Sequence, residues 1–175
     1  MLISLAKKEQ NSESYGVLNP KKKVPYLVVD GKGLSENSAI QTWIASAYPE
    51  ANLLPQNGFE RARAISYMNW FSSGMHPHIT RHFRTAKFCD IESAHEDIKA
   101  KAKAMFFEQM ALVEQELEGR TWFFDHITAC DFYFFWVYDR ALREDFNLSE
   151  FSNCTAHYEA VKKRLNVQKA LAHTQ

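Results

Sequence analysis

The stretch VPYLVVDGKGLSENSAI, residues 24–40, carries the local signals of a strand, a tight turn, a second strand and a helix in direct succession. Val24 to Val29 is rich in β-branched and aromatic residues, which suit a pleated, half-buried surface. Asp30-Gly31 supplies the positive φ angles that a two-residue hairpin loop requires, and a short return strand leads to Leu34. Ser35 is then placed to cap a helix running to Ala47, with Ala39, Ile40, Trp43 and Ile44 on its buried stripe.

On the N-terminal side, Leu2–Leu5 reads as a short strand and the polar stretch Lys7–Gly16 as helix or loop. On the C-terminal side, Pro49-Glu-Ala-Asn and Pro55-Gln-Asn-Gly read as linker. This places domain boundaries at 1–48 and 59–175, with the break near Glu50–Phe59. Pro77 is the last proline of the chain, and long proline-free sequence suits helices. Ile65, Met68, Ser72, Met75 and Ile79 recur at three- and four-residue steps, predicting a long helix bent near Gly74–Pro77. Ser93-Ala-His-Glu96 has the form of a capping box opening a helix that ends at Gly119. Thr128-Ala-Cys-Asp131 has the same form, with Ile127 and Phe132 placed to staple it. The aromatic helix that follows, Phe132–Leu142, should be the central buried one. Two further helices are expected near Thr155–Leu165 and Val167–Ala172. The fold class is therefore α/β followed by all-α.

Composition narrows the partners. The 175 residues carry 21 basic and 21 acidic side chains, a formal net charge of zero. Neither nucleic acid nor an anionic membrane selects for that balance. A hydrophobic fraction of 46% can build a core, and no apolar run approaches the roughly 18–20 residues of a membrane-spanning helix. Cys89, Cys130 and Cys154 are odd in number and far apart, as expected of reduced thiols in a cytoplasmic protein.

The motifs together resemble the glutathione transferase family. Asn19-Pro-Lys-Lys-Lys-Val24-Pro25 followed by Leu34-Ser-Glu36-Asn37-Ser-Ala39-Ile40 is similar to its pattern NP-x-x-x-VP … L-[ST]-E-[SG]-x-AI. Asn69-Trp-Phe-Ser-Ser73-Gly-Met-His76 resembles a segment of the bacterial beta class. Ile127–Asp131 resembles the family's N-capping box, and Arg164–Leu171 its C-terminal helix. The resemblance implies a truncated thioredoxin-like half, then an all-helical domain, with glutathione in the cleft between them. It also implies a strand and a helix ahead of Met1–Leu5, carrying the Tyr, Ser or Cys that activates the glutathione sulfur. None of the three cysteines occupies such a position. Leu2–Leu5 moving into the vacant strand position, a partner chain supplying a strand, or a protein that begins upstream would each resolve the gap.

By the same resemblance, Val24-Pro25 has a cis peptide bond and the Val24 backbone pairs with the cysteinyl part of glutathione; the plainer alternative is a strand-initiating proline. Glu36 takes the γ-glutamyl ammonium and Asn37 the α-carboxylate, at a helix start that favours anions on its own account. Lys8 approaches the glycyl carboxylate, or is simply solvated. Lys21–Lys23 reads as a solvated loop. Asn69, Ser73 and His76, spaced at four and three, share one helical face. They match residues that contact the tripeptide or its sulfur, His76 as an auxiliary donor to the thiolate, or else they form a polar stripe. His78 and His82 have helical metal-pair spacing but lack a third ligand, so no metal is expected. With Arg81 and Arg84 they read as an exposed polar face. Thr128 and Asp131 are structural, as cap residues.

The resemblance thus implies a cytoplasmic homodimer that needs no cofactor and takes glutathione as substrate, conjugating it to small hydrophobic electrophiles held near Trp70, Met75 and Phe83. The alternative is a non-catalytic binding or dimerisation module on the same fold.

Overall fold

The computed structural model describes residues 3–173. They form two compact units, the first ending at Asn52 and the second starting at Leu53.

In the first unit the expected strand at Leu2–Leu5 does not form over its described part. Leu2 lies outside the described residues, and Ile3 and Ser4 have no regular structure. The Glu9 carboxylate accepts from the Ser4 amide at 2.7 Å, and the Ser4 carbonyl accepts from the Glu9 amide at 3.0 Å. This local clasp takes the groups a strand ladder would need. A short 3-10 turn, Glu9–Asn11, leads to α1, Glu13–Leu18, whose first turn is capped by Ser12 Oγ accepting from the Tyr15 amide at 3.2 Å.

The hairpin forms as its local signals predict. Strand β1, Tyr26–Val29, pairs antiparallel with β2, Lys32–Ser35, in the register Val29↔Lys32 and Leu27↔Leu34. Asp30 and Gly31 close it with φ of 48° and 74°, both left-handed. Pro25 cannot donate to a ladder, and the strand starts one residue after it. A β-carbon at Gly33 would overlap the Tyr26 phenol, which lies across the paired strand. Helix α2, Asn37–Ala47, then buries Ile40 and Ala45, while Ala39 and Ile44 are half-buried. Trp43, expected on the buried stripe, sits at its rim and is 37% exposed.

All the regular structure among the described residues of the second unit is helical. Asn57 Oδ1 caps α3, Gly58–Trp70, accepting from the amides of Phe59 and Glu60. The expected bend is a π-helical turn, Phe71–Met75, before α4, His76–Phe83. Pro77 has no amide for the Ser73 carbonyl and its ring crowds that group, so the chain widens instead of continuing as α-helix. The His76 amide accordingly donates to the Phe71 carbonyl, five residues back. Gly74 accommodates the Trp70 indole, which a β-carbon would meet at 2.8 Å. The indole N–H donates to Gln109 Oε1 at 2.7 Å.

Helix α5, His95–Glu116, starts without the expected Ser93–Glu96 box. Glu92–Ala94 forms a 3-10 turn there, Ala94 takes the cap position, and Glu96 instead accepts from Lys99 one turn on, at 2.7 Å. Gly119 follows the helix with a left-handed φ of 68°. Helix α6, Ala129–Arg143, has the expected capping box and is the most buried helix, with nine residues out of solvent. Its Phe134 packs on Phe71 and Phe123, with ring centroids 5.5 and 5.7 Å apart, and all three belong to the fully buried core together with Phe106, Met68, Met75, Ile79 and Leu117.

Helices α7, Ser152–Lys162, and α8, Leu165–Ala172, follow. α7 begins three residues before the expected Thr155 because a carboxylate from α5 caps it. Glu114 accepts from the amides of Asn153 and Cys154 at 2.8 and 2.9 Å and from Ser152 Oγ at 3.2 Å. Burial pushes the Glu114 carboxyl up, but these donors outweigh it and hold it below its usual range. The depressed folded pKa means this stabilisation is present above the unfolded carboxyl pKa and is lost as pH falls through the folded value. Glu114→Gln should therefore cost about 1–2 kcal/mol at pH 7. In urea titrations at falling pH, the gap from wild type should narrow below about pH 4.5.

No helix among the described residues is long and apolar enough to cross a membrane.

Candidate functional site

In the first unit two buried side chains fix the backbone ahead of the hairpin. The Tyr15 hydroxyl and Asn19 Nδ2 both donate to the Lys23 carbonyl, at 2.6 and 2.7 Å. The next peptide bond, Val24–Pro25, is cis, as the resemblance implies. Val24 itself is 40% exposed.

At the other end of the hairpin, Ser35 does not cap α2. It is the last residue of β2, and Glu36 takes the N-cap position with φ 72° and no side-chain cap bond. A positive φ at a residue with a β-carbon is strained, and it turns the Glu36 side chain outward at the helix start. The Ile40 amide bonds to the Glu36 carbonyl, so the amides of Asn37, Ser38 and Ala39 have no acceptor within the helix. An exposed carboxylate thus stands next to a set of outward-facing amides, a pairing able to hold an ammonium and a carboxylate together.

Lys21–Lys23 are exposed and outside regular structure, as expected of a solvated loop, and Lys21 adds a contact that the sequence reading did not give. Its Nζ donates to Glu36 Oε1 at 2.7 Å and to Ser35 Oγ at 3.0 Å. Lys22 Nζ reaches the Asn11 carbonyl at 3.4 Å. Lys8 is exposed, with a left-handed φ of 56°.

In the second unit Asn69 and Ser73 are exposed and one α-turn apart, Ser73 Oγ donating to the Asn69 carbonyl at 2.9 Å. His76 does not continue their line. The π-turn absorbs one extra residue, which displaces α4 by about 100° around the axis relative to an uninterrupted helix. The half-buried His76 ring instead meets the edge of Trp136 in α6, with centroids 4.7 Å apart. Of the residues expected near an electrophile, Met75 is fully buried and Phe83 lies under the guanidiniums of Arg140 and Arg84, at 4.4 and 5.0 Å. Trp70 is half-buried.

His78 is buried, not part of an exposed polar face, and burial with neighbouring Arg81 lowers its pKa. His82 packs on Phe146 with its Nδ1 3.2 Å from the Lys99 carbonyl. No group of three or more His, Cys, Asp or Glu among the described residues is arranged to hold a metal.

Thr128 and Asp131 form the cap, fully buried, and Asp131 does more than cap. Its Oδ2 accepts from the Thr128 amide and hydroxyl at 2.7 and 2.8 Å. Its Oδ1 accepts from the Phe123 amide at 3.1 Å and lies 3.0 Å from His157 Nε2. His157, fully enclosed in α7, carries no sequence signal linking it to Asp131. Cys130 and Cys154 are also fully buried; burial pushes the Cys130 thiol up to about 12 and raises that of Cys154. Neither has the character of a nucleophile.

A hairpin entered through a cis proline, a helix starting at an outward-facing glutamate and a separate all-helical unit constitute the thioredoxin-like and helical parts of a glutathione transferase fold. The chain belongs to the glutathione S-transferase family. Residues 2–46 match the family described as "Glutathione S-transferase, N-terminal domain". Glutathione S-transferase GST-4.5 of Xanthomonas campestris is 31% identical over 170 residues, covering 91% of this chain and 79% of that protein. Glutathione S-transferase GstA of Escherichia coli O157:H7 is 29% identical over 174 residues, covering 97% and 83%. The solved structure of the bacterial beta class glutathione S-transferase of Sphingomonas chungbukensis superposes with a TM-score of 0.83 at 26% identity, covering 98% of this chain and 84% of that one.

Proposed function

We propose that the protein is a beta-class-like glutathione transferase that binds glutathione and conjugates it to small hydrophobic electrophiles, acting as a cytoplasmic homodimer. The Val24 backbone beside Pro25 pairs with the cysteinyl residue. Glu36 receives the γ-glutamyl ammonium, and the Asn37 amide and side chain receive its α-carboxylate. Lys8 serves the glycyl carboxylate, and Asn69 and Ser73 contribute polar contacts. In the reaction the glutathione sulfur, as thiolate, forms a bond to an electrophilic carbon. A leaving group departs with the bonding pair, and the thiol proton passes to solvent.

The observation that supports this reading most directly is the start of α2, where a strained, outward-turned Glu36 adjoins amides with no helical acceptor. The test is thermal unfolding with and without glutathione. At about 100 times the dissociation constant, binding stabilises the fold by about 2.7 kcal/mol. For a chain of this size the midpoint should rise by roughly 5–10 °C. A cooperative melt with no shift would overturn the assignments of Val24, Glu36 and Asn37. A shift with no turnover of an activated aryl chloride would make the protein a non-catalytic binding module.

A further inference from the structure

We infer that Lys21 and Glu36 together form a receptor for an α-amino-acid zwitterion, in which Lys21 joins Asn37 on the ligand's carboxylate when its ammonium takes Glu36. This rests on the reading of Glu36 given above and adds a specificity-determining residue to it.

Both ends of the pair are anchored by backbone while their side chains stay accessible. Lys21 follows Pro20, and its amide donates to Oδ1 of the buried Asn19 at 3.2 Å, with Asn19 itself bonded to the Lys23 carbonyl. Glu36 is set by its φ of 72° between β2 and α2. The two charged groups meet at 2.7 Å, yet their side chains remain 57% and 64% exposed. An exposed pair of this kind is weakly held and exchanges readily with a ligand.

The exchange discriminates by charge. A ligand bringing only an ammonium competes with Lys21 for Glu36 and offers Lys21 no carboxylate in return. A ligand bringing an ammonium and a carboxylate on one carbon replaces both halves, since Lys21 swings from Glu36 to the new carboxylate. An isolated glutamate at this place would accept any amine. The Lys21–Glu36 pair favours the free α-amino-acid end of a γ-glutamyl group over amines that lack the carboxylate.

The test is calorimetric titration of wild type and Lys21→Met with glutathione and with 4-aminobutyryl-cysteinyl-glycine, which keeps the ammonium and lacks the α-carboxylate. Lys21→Met should bind glutathione about fivefold more weakly and the analogue no more weakly, so the preference for glutathione falls about fivefold. Lys21→Arg should restore it. An unchanged preference in Lys21→Met would overturn the inference, as would tighter glutathione binding, which would make Lys21 a simple competitor. A separate titration of wild type with glutaryl-cysteinyl-glycine, lacking the ammonium, isolates the underlying reading. Binding equal to that of glutathione would remove Glu36 as the ammonium receptor, and the inference with it.

Discussion

Replacing Asp131 by alanine is expected to cost about 3–5 kcal/mol of folding stability, far more than the loss of a helix cap. A cap residue alone is worth about 1 kcal/mol, which is what the Thr128–Asp131 box suggests in the sequence. The carboxylate, however, is wholly buried and meets the Thr128 amide and hydroxyl, the Phe123 amide and His157. Removing it strands these donors in the core, where each unsatisfied group costs about 1–3 kcal/mol. His157 has no alternative, because its Nδ1 is already buried without a partner. Trp122, Phe123 and Phe134 surround its ring at 5.4–5.8 Å. The midpoint of thermal unfolding should fall by about 10 °C, or cooperativity should be lost. Thr128→Ala should cost about 1–2 kcal/mol. Equal, small losses for the two variants in urea titrations would show that the cap accounts for Asp131 after all.

Phe71→Ala should be comparably damaging, at about 3–5 kcal/mol. Phe71 is fully buried at the start of the π-turn, with Tyr67, Trp70, Phe123, Tyr133 and Phe134 around it at 5.5–6.2 Å. Truncation removes these contacts and leaves a cavity that rigid helices close only in part. Phe71→Leu, which keeps most of the volume, should lose much less. Phe123 and Phe134 touch both Phe71 and His157, so Phe71→Ala and Asp131→Ala share neighbours. Their effects in a double-mutant cycle should depart from additivity by more than about 0.5 kcal/mol. Strict additivity would mean that the two sites relax independently.

Signals confined to a few residues were legible. Asp30-Gly31 demands left-handed φ at both positions and therefore a hairpin, and Thr128–Asp131 closes a capping box within one turn. The same reasoning fails where a competitor lies close by. Ser35 has the chemistry of a cap but is held in β2, and Glu96 has Lys99 within reach. The spacing of Asn69, Ser73 and His76 presumes an unbroken α-helix. Gly74 and Pro77 located the bend, but proline chemistry alone does not say that the chain widens into a π-turn and rotates His76 away. Pairings across the fold left no trace in spacing. Lys21 with Glu36, Glu114 with Asn153 and Asp131 with His157 join residues that periodicity cannot relate. Val24, Glu36 and Asn37 became candidates through the resemblance of 19–25 and 34–40 to a family pattern, which gave no role to Lys21.

The hairpin also bears on self-association. Among the described residues β1 is paired on one side only. Val29↔Lys32 closes the two-residue loop as a bonded pair and Leu27↔Leu34 is its repeat, so the amides and carbonyls of Tyr26 and Val28 face away from β2. Such a row is a template for strand recruitment between molecules, and Val28, 54% exposed, adds an apolar side chain to it. With a formal net charge of zero, the chain as a whole offers little long-range repulsion against that encounter. Local gatekeepers stand in for it: three consecutive lysines, Lys21–Lys23, and Pro25 at one end, Asp30 at the other, and a strand of only four residues. The hairpin region that carries Val24 and Glu36 therefore also carries the side chains that oppose strand recruitment near neutral pH, Lys21 among them.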